Sequence, residues 1–232
     1  MRNFLLGIVI VLFAVVPAHA SLEIVGGAGA TAVPGGNDFM ADLAALTPSL
    51  DMIFNSGADI KVNGAGTVYF YYHGAESGYT NEFVTGGTWT AATFTLAGGT
   101  SLETEADESW SFPGSAIGSI AVSDGDLFSS LGIGFRVKTA GSGTPKDALA
   151  GTAGFGVFYN DGLGSAGDGT YSQVFYGFDD NGASVDDNHD DMMVSAVFVP
   201  VPEPLSVAVW SGLAVAFSVV SVLSKRRQGS NC

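Results

Sequence analysis

Between residues 67 and 199, short runs rich in aromatic and β-branched residues alternate with clusters of Gly, Asp, Asn and Ser. The runs are 67–73, 89–96, 131–138, 153–159, 171–178 and 192–199. Aromatic and β-branched side chains suit the pleated surface of a strand, and the polar clusters supply turns and positive-φ positions. Glycine, at 33 of 232 residues, is about twice as frequent as usual. In 67–73 the alternation places Val68, Phe70 and Tyr72 on one face. Strands so short and so closely spaced predict a mainly β domain, a two-sheet sandwich or jelly roll. One short helix is expected over 37–46, where Asn37 can cap and Phe39, Leu43 and Leu46 share a stripe. No fixed-period repeat is present, which counts against a solenoid.

Both ends of the chain are hydrophobic. Residues 1–20 read as a secretory signal peptide: Arg2 supplies the positive start, 4–16 is an apolar run, and Pro17 ends it. Ala18-His19-Ala20 then has the small-x-small pattern of a cleavage site, with Ala18 and Ala20 as its small residues. The mature chain is expected to begin at Ser21. At the other end, 205–223 carries no charge over 19 residues and is followed by Lys225, Arg226 and Arg227. A helix of that length covers roughly 28 Å, close to the hydrocarbon thickness of a bilayer. Basic residues favour the cytoplasmic side, so everything between the two segments is expected to be exported through the inner membrane.

Val201-Pro202-Glu203-Pro204 stands immediately before that transmembrane segment. Two prolines fix φ and remove amide donors, so neither strand nor helix continues through them, and a stiff extended peptide results. In order, spacing and composition, 201–227 resembles the C-terminal sorting tail of the PEP-CTERM proteins: a Pro-Glu-Pro motif, one hydrophobic helix and a basic cluster. The resemblance implies recognition of the tail by an exosortase, an integral-membrane transpeptidase-like enzyme. It also implies release to the cell surface or extracellular matrix, often in bacteria that make exopolysaccharide. Pro202, Glu203, Pro204, Lys225, Arg226 and Arg227 are then the sorting residues. Two internal stretches extend the likeness. Residues 74–83 look like a Gly-x-Glu-x-Gly-Tyr-x-Asn-x-Phe pattern of such proteins, and 186–194 resembles the acidic box that precedes their tails.

The exported residues 21–200 hold 22 acids against four bases, a net charge of −18. Phosphate binding needs clustered Lys and Arg, so nucleic acid is excluded as a partner. The one cysteine, Cys232, excludes an internal disulfide, a cysteine zinc site and a thiol nucleophile in the exported part. The acids are densest at Asp179, Asp180, Asp186, Asp187, Asp190 and Asp191, with Asn188 among them. Asp186, Asn188 and Asp190 have the spacing that opens an EF-hand loop, but Asp191 and Val197 stand where that loop needs Gly and Glu. A calcium ion held by Asp179, Asp180, Asp186, Asn188, Asp190 and Asp191 would relieve their repulsion; the plain alternative is a solvated acidic turn.

Enzymatic chemistry has little to stand on. His73 and His189 are the histidines beyond the signal, and neither lies in a Gly-x-Ser-x-Gly elbow or a His-Glu-x-x-His helix. His73 reads as a polar strand end. Glu76 and Glu82 form a conceivable glycosidase pair, though any protein this acidic contains such pairs. Tyr69, Tyr71, Tyr79, Trp89 and Trp110 would stack on sugars if they shared a sheet face; core packing is the competing role. The expectation is therefore a non-enzymatic surface protein, with a secreted glycan-binding or glycan-cleaving sandwich as the alternative.

Overall fold

The computed structural model describes residues 20–46, 51–77, 80–89, 94–96, 101–104, 110–139, 147–160, 170–180 and 188–201, and Gly212. All but Gly212 fall in one compact unit, His19–Val201. The second unit, Met1–Ala18 with Pro202–Cys232, lies outside the described residues apart from Gly212. So do Ala18, the Pro-Glu-Pro motif, the expected helix 205–223 and the basic cluster. Among the described residues, no helix is long and apolar enough to cross a membrane.

The chain runs through β1 (Ser21–Gly26), β2 (Thr31–Ala32), α1 (Asp38–Leu46), β3 (Ile53–Ser56), β4 (Ala58–Asn63), β5 (Gly66–Gly74) and β6 (Thr80–Val84). It continues through β7 (Gly87–Trp89), β8 (Phe94–Leu96), β9 (Ser101–Thr104), β10 (Ser115–Val122) and β11 (Gly134–Thr139). The last strands are β12 (Ala148–Leu149), β13 (Phe155–Tyr159), β14 (Thr170–Tyr171), β15 (Gln173–Phe178) and β16 (Met192–Pro200). The domain is mainly β, as its composition predicts.

Seven strands form the largest sheet, in the order β10-β5-β16-β15-β13-β3-β2. Smaller sheets are β14-β1-β4, β12-β11-β6-β9 and the hairpin β7-β8. Every pairing among the described residues is antiparallel. One face of the seven-stranded sheet presents Val68, Phe70, Tyr176, Phe178 and Val194 to Leu22 and Ile60 of one small sheet and Phe83 and Phe135 of another. Phe135 stacks on Phe178 at 5.1 Å, and Phe70 meets Phe83 at 5.3 Å. Each fully buried side chain of this size contributes roughly 1.5–3 kcal/mol, so these rings dominate the fold's stability.

The opposite face is covered at one end by α1, whose Phe39, Met40 and Leu43 pack on Phe54, Phe158, Phe175 and Met193. Central strands are thereby buried on both sides, which is why β13 and β15 read as unbroken hydrophobic runs rather than alternating ones. Asn37 caps α1 as expected, its Oδ1 accepting the Met40 amide at 2.7 Å. Pro48 follows shortly after and disfavours further helix. Leu46 departs from the predicted stripe: it is 64% exposed, because the helix ends there, and Met40 takes the third buried position.

Three predicted runs differ in detail. Residues 89–96 are not one strand but the arms of a hairpin, in which Trp89 pairs with Phe94. The run 171–178 is divided at Ser172: Tyr171 pairs with β1 in a small sheet, whereas β15 enters the large one. Residues 131–133 belong to the turn before β11, where the Ile133 amide bonds back to the Phe128 carbonyl.

Candidate functional site

The described carboxylates of the acidic segment do not lie in solvent. Asp179, Asp180, Asp190 and Asp191 are all buried. The segment 188–191 is instead drawn onto the N-terminus of α1 and the chain after β5. Asn37 Nδ2 donates to the Asn188 carbonyl at 2.7 Å, and the Asp38 amide donates to Asp190 Oδ2 at 2.8 Å. The first amides of a helix have no partner within it and carry partial positive charge, so a carboxylate is a favourable guest there. The Glu76 amide completes the clamp by donating to the Asp190 carbonyl.

Asp180 and Asp191 are held from the other side. Asp180 Oδ2 accepts from Ser77 Oγ at 2.5 Å and from Asn81 Nδ2 at 3.1 Å. Asp191 Oδ2 accepts the Asp180 amide at 2.8 Å, and Asn81 Nδ2 also reaches the Asp191 carbonyl at 3.3 Å. The two internal stretches singled out in the sequence, 74–83 and 186–194, thus meet. Charge-assisted hydrogen bonds do part of the work that the charge count assigned to a cation.

Asp190 is the unusual member. Its Oδ1 is buried without a hydrogen-bond partner among the described residues. Burial pushes its carboxyl up to about 7; the Glu76 and Asp38 charges add to the rise and the Asp38 amide opposes it. Outside the clamp, Asp38, Asp42 and Glu76 line an acidic cleft of about 380 Å³ with Ala41 and Trp110. Among the described residues, no group of three or more His, Cys, Asp or Glu side chains is arranged to hold a metal. Asp186 and Asp187 lie outside the described residues.

Two glycines make room for this segment. Gly156 and Gly177 face each other across β13 and β15. A Cβ on Gly177 would stand 1.9 Å from the His189 carbonyl oxygen, and one on Gly156 would stand 2.7 Å from His189 Cδ2. His189 fills the slot with a positive φ of 58°, its ring edge-on to Phe54 and its Nε2 donating to the Ala153 carbonyl at 3.1 Å.

His73 is not the polar strand end that its position suggested. It is buried among Phe39, Phe112 and Phe175, because α1 and residues 110–112 cover that end of β5. Nδ1 lies 3.0 Å from the Ser111 carbonyl and Nε2 2.9 Å from Ser195 Oγ. A carbonyl only accepts, so Nδ1 carries the hydrogen and Nε2 receives the serine hydroxyl. Burial lowers the imidazole's pKa, the bond to Ser111 opposing. A hydroxyl on an imidazole nitrogen is the arrangement used by activated nucleophiles. Here Ser195 and His73 are 1% and 4% exposed, so the pair fastens β16, β5 and the 110–112 segment together.

The remaining candidates are dispersed. Glu82 is buried on β6, with Arg136 at 3.6 Å, while Glu76 belongs to the clamp. Tyr69 and Tyr71 share a face of β5, Trp110 packs on Phe39, and Tyr79 and the Trp89 side chain lie outside the described residues. Ala20 packs against the main core, and β1 begins at Ser21. The His73–Ser195 pair left no signal in the sequence, since its members are 122 residues apart. No family model, curated protein or solved structure matches the chain.

Proposed function

We propose that the chain is an exported cell-surface or extracellular-matrix protein without enzymatic activity. The helix 205–223 holds it in the inner membrane, and an exosortase processes it at Pro202-Glu203-Pro204. The exported part is a sandwich-like β domain, a reading supported by the large sheet packing on two smaller ones. The observation that carries the proposal is the tail itself, in which Pro-Glu-Pro, an uncharged 19-residue run and Lys225-Arg226-Arg227 follow in order.

The end of the fold is compatible with that role. β16 ends at Pro200, and the Val201 amide makes a last hydrogen bond to the Ala65 carbonyl at 3.0 Å. Pro202 has no amide hydrogen with which to extend the ladder. A cut beyond Val201 leaves β16 whole, whereas a cut upstream of Phe198 would remove a side chain that is 3% exposed. Intact-mass analysis of surface material tests the proposal: the expected product keeps Val201, loses everything beyond the Pro-Glu-Pro region and so lacks Arg226 and Arg227. Glu203→Ala is expected to accumulate as a membrane-bound precursor. A mature surface species retaining the basic cluster, in cells with an active exosortase, would refute processing.

A further inference from the structure

On its second face, the seven-stranded sheet is covered by α1 and residues 110–112 over Phe54, Phe158, Phe175 and Met193. Toward the other end of the strands, no described residue among those packed on α1 covers the same face. Four directly opposed residues form a row across it: Ser119 faces Tyr69, Tyr69 faces Val197, and Val197 faces Gln173. Tyr69 is 39% exposed and Val199 48%; Tyr71, Val197 and Gln173 are half-buried, and Ser119 is exposed. Tyr69 and Tyr71 are two residues apart on β5, so their rings rise from the same face roughly 7 Å apart along the strand. Four strands at about 4.8 Å spacing give the row a width of roughly 14 Å.

None of these six side chains is charged, although the exported residues carry a net −18. A cationic partner is drawn to the acidic remainder of the surface, and an anionic one is repelled by it. An uncharged partner is indifferent to both and is selected by what the patch offers: flat tyrosine rings with hydroxyl and amide groups beside them. A sugar ring has the matching chemistry, with C–H faces to lie on tyrosine and hydroxyls at its rim to bond Ser119 and Gln173. We propose that this open face binds an uncharged polysaccharide, with Tyr69 and Tyr71 as the stacking pair. The proposal uses none of the tail's residues, and its failure would leave the processing proposal standing.

The test is native affinity electrophoresis of the full chain in non-ionic detergent. Gels would contain hydroxyethylcellulose, dextran or galactomannan as neutral probes and polygalacturonate as the anionic one. Retardation is expected in at least one neutral gel and none in polygalacturonate. Tyr69→Ala should weaken the retardation at least tenfold, and Tyr69→Phe should retain it. Tyr69 is exposed, so its replacement leaves the fold intact, which unchanged melting will verify. No retardation in any neutral gel overturns the proposal, as does equal retardation of Tyr69→Ala or of the chain in polygalacturonate. A dimer that Val199→Asp converts to monomer would reassign the face to contact between copies.

Discussion

The carboxylate of Asp190 accepts a hydrogen bond from the backbone amide of Asp38, 152 residues away, and so joins the acidic segment to the N-terminus of α1. This contact requires that the sheet already bring β16 beside the helix. It also gives a buried acid one good partner and leaves its second oxygen with none among the described residues.

The stability of the domain should therefore respond to protonation of Asp190. Its carboxyl is raised to about 7, while the unfolded chain loses that proton near the ordinary value of about 4. The folded state holds the extra proton in between, so this group's contribution is full in acid and is lost as pH rises through 7. Each unit of displacement corresponds to about 1.4 kcal/mol. Asparagine can accept the Asp38 amide but does not titrate, so Asp190→Asn is expected to flatten the fall in Tm between about pH 4 and 7. A slope unchanged by the substitution would place the proton elsewhere.

His73 should act in the opposite sense. Its pKa is lowered by burial, so the unfolded chain takes up a proton first as pH falls below about 6.5. That uptake removes stability toward acid until the folded imidazole is itself protonated. Proton NMR should find the His73 ring titrating below 6.5, with the Nδ1 hydrogen retained above it. Ser195→Ala removes the hydroxyl that Nε2 accepts and should cost about 1 kcal/mol in urea unfolding. A ring titrating at or above 6.5 would contradict the buried hydrogen-bonded geometry.

Gly177 tests the slot beneath His189. The atom that an alanine Cβ would meet at 1.9 Å is a backbone carbonyl oxygen, which cannot swing aside as a flexible side chain can. Gly177→Ala is expected to destabilise the chain by about 3 kcal/mol, at the upper end for overpacking. Gly35→Ala is the control: no atom lies within 4 Å of its Cβ position, and the change should be within about 0.5 kcal/mol. Equal unfolding midpoints for the two variants would show that the 188–191 segment is not seated on the glycine pair.

Calcium remains a proposed ligand of the acidic segment. Asp180 and Asp191 already accept protein donors, so a calcium effect should run through Asp186, Asn188 and Asp190, whose Oδ1 has no partner among the described residues. Binding to the folded state alone raises stability by roughly 2.7 kcal/mol at a hundredfold excess over Kd. The chain is expected to melt higher in calcium than in chelator, and Asp186→Ala with Asp190→Ala should remove the difference. Magnesium should do less, because it prefers octahedral geometry and gives up water reluctantly. Identical melting in calcium and chelator would mean that hydrogen bonds and protonation suffice.

The mainly β class, the capped helix and five of the runs that became strands were all readable in the sequence, because they depend on neighbours only a few residues apart. Asn37 caps Met40 three positions on, and the Val68/Phe70 alternation fixes which face of β5 enters the core. The sequence by itself also determined the charge imbalance and the order of motif, apolar run and basic cluster in the tail. What only the tertiary structure decided depends on register and layer packing between distant residues. Sequence position made His73 a polar strand end; α1 and residues 110–112 made it a core imidazole bound to Ser195. Charge density made 179–191 a candidate turn or ion site; helix amides, Ser77 and Asn81 made its described carboxylates buried acceptors. Local periodicity sets the direction of a side chain along its own strand, but its desolvation and its partners come from chain segments that only the assembled sheets bring together.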